Sequence, residues 1–139
     1  MINQNEPDIV AFCCHYTAYA CSQDLRNLPR LGFPENVRLE ILSCSGRISI
    51  NRLLKAFEQG ADGIYVAGCK DDTCHNLRGS QVAKKRVDYV KTVFDQLNIE
   101  HERIEMYMIS REPNSGFIEA AKEMTERIKK LGPSPLNLR

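Results

Sequence analysis

Six cysteines are the residues of this sequence best equipped for chemistry: Cys13, Cys14, Cys21, Cys44, Cys69 and Cys74. Cys13 and Cys14 close an apolar run, Ile9-Val10-Ala11-Phe12, at the point where a buried strand gives way to a loop. Cys44 opens the stretch Cys44-Ser45-Gly46-Arg47, Cys69 ends Val66-Ala67-Gly68-Cys69, and Cys74 stands beside His75 in the loop that follows. Thiolates are soft ligands, so four of them select zinc or an iron–sulfur cluster. Paired thiols alone can instead cycle between dithiol and disulfide. The chain lacks the two Cys-x-x-Cys knuckles of a zinc ribbon, which weakens the zinc reading. Cys21, on a presumed helix, reads as a packed apolar residue, and His75 as a loop residue or a donor beside the site. Gly60, Gly63 and Gly68 do not fit the G-x-G-x-x-G phosphate fingerprint at a strand-to-helix turn, and no paired carboxylates or Ser-His-Asp constellation can be made out.

The chain that must position these thiols has 139 residues, the size of one domain, and at that length folding buries roughly two thirds of the unfolded surface. A charged fraction of 27% and a net charge of +1 argue against nucleic acid or anionic lipid as partners and leave proteins, cofactors and small molecules. Residues 1–8 carry no apolar signal core, and no stretch approaches the roughly 18 apolar residues of a membrane span. The expected location is the cytoplasm, where thiols stay reduced and six cysteines read as metal-binding or redox-active before they read as disulfides.

The elements alternate. A continuous apolar run at 8–14 predicts a strand covered on both faces, followed by a short helix over 15–28 that Pro29 ends. Residues 37–43 alternate Val37, Leu39 and Ile41 with Arg38 and Glu40, the pattern of an edge strand. Ile50, Leu53, Leu54 and Phe57 fall at helical spacing behind Ser49 as N-cap, and Gly60 stops that helix. An apolar strand over 63–67 ends at Gly68-Cys69. A long helix over 79–97 sets Val87, Val90, Phe94 and Leu97 on one stripe, with Lys84, Lys85, Arg86 and Lys91 on a basic face that reads as solvated. A second edge strand spans 103–109, alternating Ile104, Met106 and Met108 with Glu105 and Tyr107, and a last helix over 115–131 ends at Gly132-Pro133. Residues 1–7 are a lead-in, 8–133 a single domain, and 134–139 a loose tail.

Four strand–helix repeats predict an α/β fold: a small flavodoxin-like parallel sheet of order 2-1-3-4, with helices on both faces and the two apolar strands inside. Ligands of such sheets sit beyond the carboxyl ends of the strands at the switch point, here between the first and third strands. Cys13, Cys14, Cys44, Cys69 and Cys74 all fall on that rim. Side chains alternate along a strand, so one of Cys13 and Cys14 is the spare among five candidates for four ligand places.

With these residues in place, the chain resembles the delta subunit of methyl-viologen-reducing hydrogenase, the MvhD/FlpD family. The resemblance runs from Ile9 to Pro133 and rests on Ala11-Phe12-Cys13-Cys14, Cys44-Ser45-Gly46-Arg47, Ala56-Phe57-Glu58-Gln59-Gly60-Ala61-Asp62-Gly63, Val66-Ala67-Gly68-Cys69, Cys74-His75 and Arg86-Val87. It implies a non-catalytic electron-transfer subunit with one 2Fe-2S cluster on four of Cys13, Cys14, Cys44, Cys69 and Cys74. The implied partners are a hydrogenase or a formate dehydrogenase as donor and the flavin-containing A-type subunit of heterodisulfide reductase as acceptor, within a methanogenesis-type electron-bifurcating complex. Relatives often continue the first motif as Cys-Cys-x-x-Cys, where this chain has Thr17, so a third cysteine there is dispensable. The competing readings from the residues themselves are a thiol–disulfide redox sensor and a structural zinc adaptor.

Overall fold

Stretches with a side-chain period of two alternate with stretches of helical period, and each apolar stripe buries itself against the next element. The computed structural model describes residues 6–14, 30, 32–42, 48–69, 79–109 and 116–136, with the backbone alone for Cys14, Cys69 and Ser80. Four strands, β1 (Ile9–Cys14), β2 (Val37–Leu42), β3 (Gly63–Cys69) and β4 (Ile104–Ile109), make one sheet of order β2-β1-β3-β4. Every neighbouring pair is parallel. The order and the inner position of β1 and β3 are those expected from their unbroken apolar runs. The helix expected over 15–28 lies outside the described residues.

Among the described residues three helices cover the sheet: α1 (Ile50–Glu58), α2 (Gly79–Gln96) and α3 (Phe117–Leu131). Val10 and Phe12 of β1 and Ile64 and Val66 of β3 meet α1 and α2 on one face. There Phe57 and Phe94 pack edge-on, ring centroids 4.6 Å apart, and fix the two helices against each other. Ile9, Ala11 and Cys13 of β1, with Tyr65 and Ala67 of β3, point to the other face, where α3 covers them with Ala121, Met124 and Ile128. At Gly63 α3 comes so close that an added Cβ would lie 2.6 Å from Ile128 Cγ1, so only glycine allows this approach at the start of β3. The Ser49 hydroxyl accepts from the Arg52 N–H at 3.1 Å, the cap that starts α1.

The amino ends of the strands are locked by buried polar groups. The Arg103 side chain, in a short 3-10 turn (His101–Arg103) before β4, is 1% exposed. Its guanidinium donates to the carbonyls of Asp62 (3.0 Å), Gly132 (2.8 Å), Pro133 (3.2 Å) and Leu131 (3.3 Å), and to the Glu100 carboxylate at 2.8 and 3.0 Å. Asp62, also buried, accepts from the backbone N–H groups of Asp8 and Ser134, both at 3.0 Å. Asn36 donates to the Pro7 carbonyl and to Thr125 of α3. Along β4, Glu105 accepts from Lys91 of α2 at 2.9 Å and from Arg127 of α3 at 3.1 Å, so one carboxylate ties both layers to the edge strand.

Several boundaries differ from expectation for local reasons. β3 runs on through Gly68 to Cys69, because β4 gives both residues partners in Met108 and Ile109. Helix α2 ends at Gln96, and Leu97, expected on the buried stripe, is 60% exposed in the turn beyond it. Ser134, expected in a loose tail, is buried on Asp62.

Two outcomes follow for stability. Arg103→Lys, which leaves three donors for five, is expected to cost at least about 3 kcal/mol in urea unfolding, and a loss under about 1 kcal/mol would mean that the lock contributes little. Burial works to raise the Glu105 carboxyl, but its bonds from Lys91, Met106 and Arg127 outweigh it and hold the group below its ordinary 4.5. A lowered carboxyl contributes stability that is present above its unfolded pKa and lost as pH falls through the folded value. Glu105→Gln is therefore expected to lower the melting temperature at neutral pH, with the gap to the parent chain closing below about pH 4.5. A gap that stays constant on acidification would mean that ionisation of Glu105 plays no part.

Candidate metal centre

The winding reverses between β1 and β3, and the cysteines meet the sheet at that point. Cys13 and Cys14 are the last two residues of β1, and Cys69 is the last of β3. Cys13 pairs in register with Ala67 of β3 and Ile41 of β2, so the two cysteine-bearing strand ends are neighbours about 5 Å apart. Cys13 is fully buried in the core cluster on the α3 face, and the side chains of Cys14 and Cys69 are not described. Cys21, Cys44, Cys74 and His75 lie outside the described residues. Among the described residues no three His, Cys, Asp or Glu side chains gather as a metal site. The described rim thus joins Cys13, Cys14 and Cys69 through their strands.

A buried thiol among apolar side chains has no use for a bare negative charge. Burial disfavours the thiolate, and a metal cation that replaces the proton removes that penalty. The environment of Cys13 therefore suits a metal ligand better than a thiol attacking as a free anion.

Beneath the rim stands a residue that the cysteine spacing did not reveal. Cys13, Ala67 and Tyr107 form one row across three strands, and Ala11, Tyr65 and Glu105 form the row nearer the amino ends. The Tyr65 ring packs edge-on against Tyr107 of the upper row, centroids 5.5 Å apart at 88°, so it is in contact with the row that contains Cys13. Tyr65 is 1% exposed, and its hydroxyl is the buried side-chain polar atom without a hydrogen-bond partner among the described residues. Leaving such a group unmet costs about 1–3 kcal/mol. Burial, then the proximity of Cys13 and of Tyr107, pushes its pKa well above the ordinary tyrosine value of 10.0, so the hydroxyl keeps its proton. Tyr107, expected on the outer side of an edge strand, instead lines this site. Its hydroxyl donates to Glu123 at 3.0 Å, and burial followed by that bond raises its pKa.

Arg86 also departs from expectation. Lys84 and Lys85 are exposed, with Lys84 paired to Asp88, but Arg86 turns inward and donates to the Ile48 carbonyl at 2.7 Å. Ile48 follows directly on Cys44-Ser45-Gly46-Arg47 in sequence, and α2 thus holds the chain just before α1. On the opposite face of the sheet, a groove of about 420 Å³ beside β2 is lined by Phe12, Arg38, Glu40 and Arg52, the Arg52 guanidinium lying 5.3 Å above the Phe12 ring. Within it Arg52 pairs with Glu40 at 3.5 Å, and Arg38 reaches out of the groove to Asp8 at 3.2 Å.

The donor set fits an iron–sulfur group on two counts. Cysteines close two adjacent strands, and an orphaned hydroxyl lies buried in the cluster that holds Cys13, as a donor to an acceptor beyond the protein's own described atoms would be. An isolated tyrosine within an apolar strand gives no sign of this in sequence; the signal was Ala67, a small residue in line with Cys13.

Residues 9–132 match the family described as methyl-viologen-reducing hydrogenase, delta subunit. The chain is 41% identical over 131 residues to the iron-sulfur subunit of the vhu F420-non-reducing hydrogenase of Methanococcus maripaludis, across 94% of this chain and 97% of that protein. The protein of the same name from Methanocaldococcus jannaschii is 39% identical over the same shares of the two chains. A further similarity, 35% over 127 residues and 91% of this chain, is to the A-type subunit of the ferredoxin:CoB-CoM heterodisulfide reductase of Methanosarcina mazei, of which the matched stretch makes up 16%. The family match takes in all four strands, the rim residues Cys13, Cys14 and Cys69, and Tyr65 beneath them. The chain belongs to the methyl-viologen-reducing hydrogenase delta subunit family.

Proposed function

We propose that this chain is a non-catalytic electron-transfer subunit that holds one 2Fe-2S cluster at the carboxyl rim of its sheet. In this reading the ligands are Cys44, Cys69, Cys74 and one of Cys13 and Cys14, the other remaining beside the cluster. When bound, the group supplies one-electron transfer. The chain's part is to supply thiolates, exclude water around Cys13 and present the rim to partners. The observation that carries the reading is the meeting of cysteine-bearing ends of β1 and β3 at the switch point of a parallel sheet, the place where such folds bind their ligands.

The partners follow from the two kinds of relative. One is a free-standing protein of similar length named as the iron-sulfur subunit of a hydrogenase; the other contains the same unit as a small part of a longer heterodisulfide reductase chain. A domain that is a separate chain in one system and covalently joined in another meets the same neighbours when the separate form docks where the joined form sits. We therefore place the chain in the cytoplasm between a hydrogenase or formate dehydrogenase and the flavin-containing A-type subunit of heterodisulfide reductase, in a hetero-oligomeric, electron-bifurcating complex. No helix among the described residues is long and apolar enough to cross a membrane.

Iron and acid-labile sulfide per chain, measured on anaerobically purified protein together with an electron paramagnetic resonance spectrum after dithionite reduction, test this directly. The expected result is about two of each and a spin-half signal. Cys44→Ala and Cys69→Ala are expected to lose the signal and most of the iron, and Cys21→Ala to keep both. Zinc or titratable thiols in place of iron would sink the reading, and full occupancy in both ligand variants would sink the ligand set.

A further inference from the structure

We propose that Tyr65 sets the potential of the group held at the rim, its hydroxyl donating a hydrogen bond to a sulfur of that group or of a thiolate that ligates it. This deepens the iron–sulfur reading above and rests on it. Tyr65 is a tuning residue rather than a ligand.

The position of the hydroxyl carries the inference. The ring is already held by Tyr107 and by burial, neither of which needs an oxygen, and phenylalanine would fill the same space. The oxygen has no acceptor among the described residues, although the neighbouring tyrosine hydroxyl has one in Glu123. On the α3 side the cover is apolar, with Phe117, Ala120, Ala121 and Met124 all buried, and in the row below Tyr65 is flanked by Ala11 on β1. The ring touches Tyr107 of the row that contains Cys13, the Cys13 side chain lies in the same buried cluster, and above that row lies the sheet's ligand position.

The acceptor's chemistry points the same way. A thiol is a poor acceptor and a poor match for a buried tyrosine. Once metal binding removes the thiol proton, the thiolate and any bridging sulfide are anionic, and a buried O–H beside them makes a charge-assisted bond. Such a bond stabilises the more negative, reduced form more than the oxidised one, so it raises the potential.

The test compares Tyr65→Phe with the parent full-length chain, both purified anaerobically. Iron and sulfide per chain are expected to be equal. The midpoint potential of the variant, from a redox titration followed by electron paramagnetic resonance, is expected to fall by an amount equivalent to about tenfold in the reduced-to-oxidised ratio, or about 59 mV for a one-electron couple. After iron removal the order of stability is expected to reverse in favour of the variant, which no longer buries an unmet oxygen and melts a few degrees (~2–4 °C) higher. Equal potentials in two fully loaded proteins overturn the inference and leave the iron–sulfur reading standing. Loss of iron from a variant that keeps its circular dichroism also overturns it, because the hydroxyl would then be needed for assembly. So does a metal-free variant less stable than its parent, because the hydroxyl would have a partner within the fold. A parent chain without iron takes down the underlying reading, and this inference with it.

Discussion

Almost no water reaches the guanidinium of Arg103, and the placement of the sheet depends on how that charge is met. Taking it out of solvent costs several kcal/mol, which is offset only when every N–H finds an acceptor. Here the acceptors are the Glu100 carboxylate and carbonyls from the start of β3 and the end of α3. Asp62 extends the lock to the chain entering β1 and to Ser134. The starting heights of β1, β3 and β4 and the end of α3 are therefore fixed together. From such a base the carboxyl ends are set by strand length alone, at about 3.3 Å per residue. β1 has six residues and β3 seven, which brings Cys13, Cys14 and Cys69 to the same rim.

The two ends of the sheet use polarity in opposite ways. At the amino end the buried polar groups of Arg103 and Asp62 are met within the protein, and Gly63 lets α3 lie close. At the carboxyl end β3 carries the small residues Ala67 and Gly68, and a hydroxyl is left without a partner among the described residues. A fold stabilised at one end tolerates an unfinished polar group at the other. That division suits a site whose last atoms are brought by something other than the polypeptide.

The sheet order was legible because the patterns of its strands differ: Ile9 to Phe12 and Ile64 to Ala67 are apolar on both faces, while Arg38 and Glu40 mark β2 as an edge. Cys13, Cys14 and Cys69 could be placed on the rim because they close apolar runs, while Cys44 and Cys74 lie outside the described residues. What sequence did not disclose depends on contacts between distant segments. Arg103 reads as an ordinary surface arginine until Asp62 and Leu131 come together around it. Arg86 sits in a basic run and looks solvated, yet it alone of Lys84, Lys85 and Arg86 faces the Ile48 carbonyl. Leu97 kept the helical spacing of a buried stripe, but the helix stops one residue earlier and turns it outward. Tyr65 is the most consequential of these, because an aromatic residue in a buried strand is ordinarily packing, and only the fold shows its oxygen buried without a partner among the described residues, one row below Cys13.

The lock at Asp62 has a topological consequence. Asp8 and Ser134 both bond to the one carboxylate, so the described fold opens and closes at the same spot. A polypeptide tether joined at either of these points leaves from the floor of the sheet, roughly 20 Å from the cysteine rim given the length of a six-residue strand. In the Methanosarcina mazei relative, where the matching stretch is a small part of a longer chain, a fold of this kind can be spliced in without covering its own rim. The two points of attachment and the cysteine rim thus lie at opposite poles of the described fold, and a tether at either point leaves the rim uncovered.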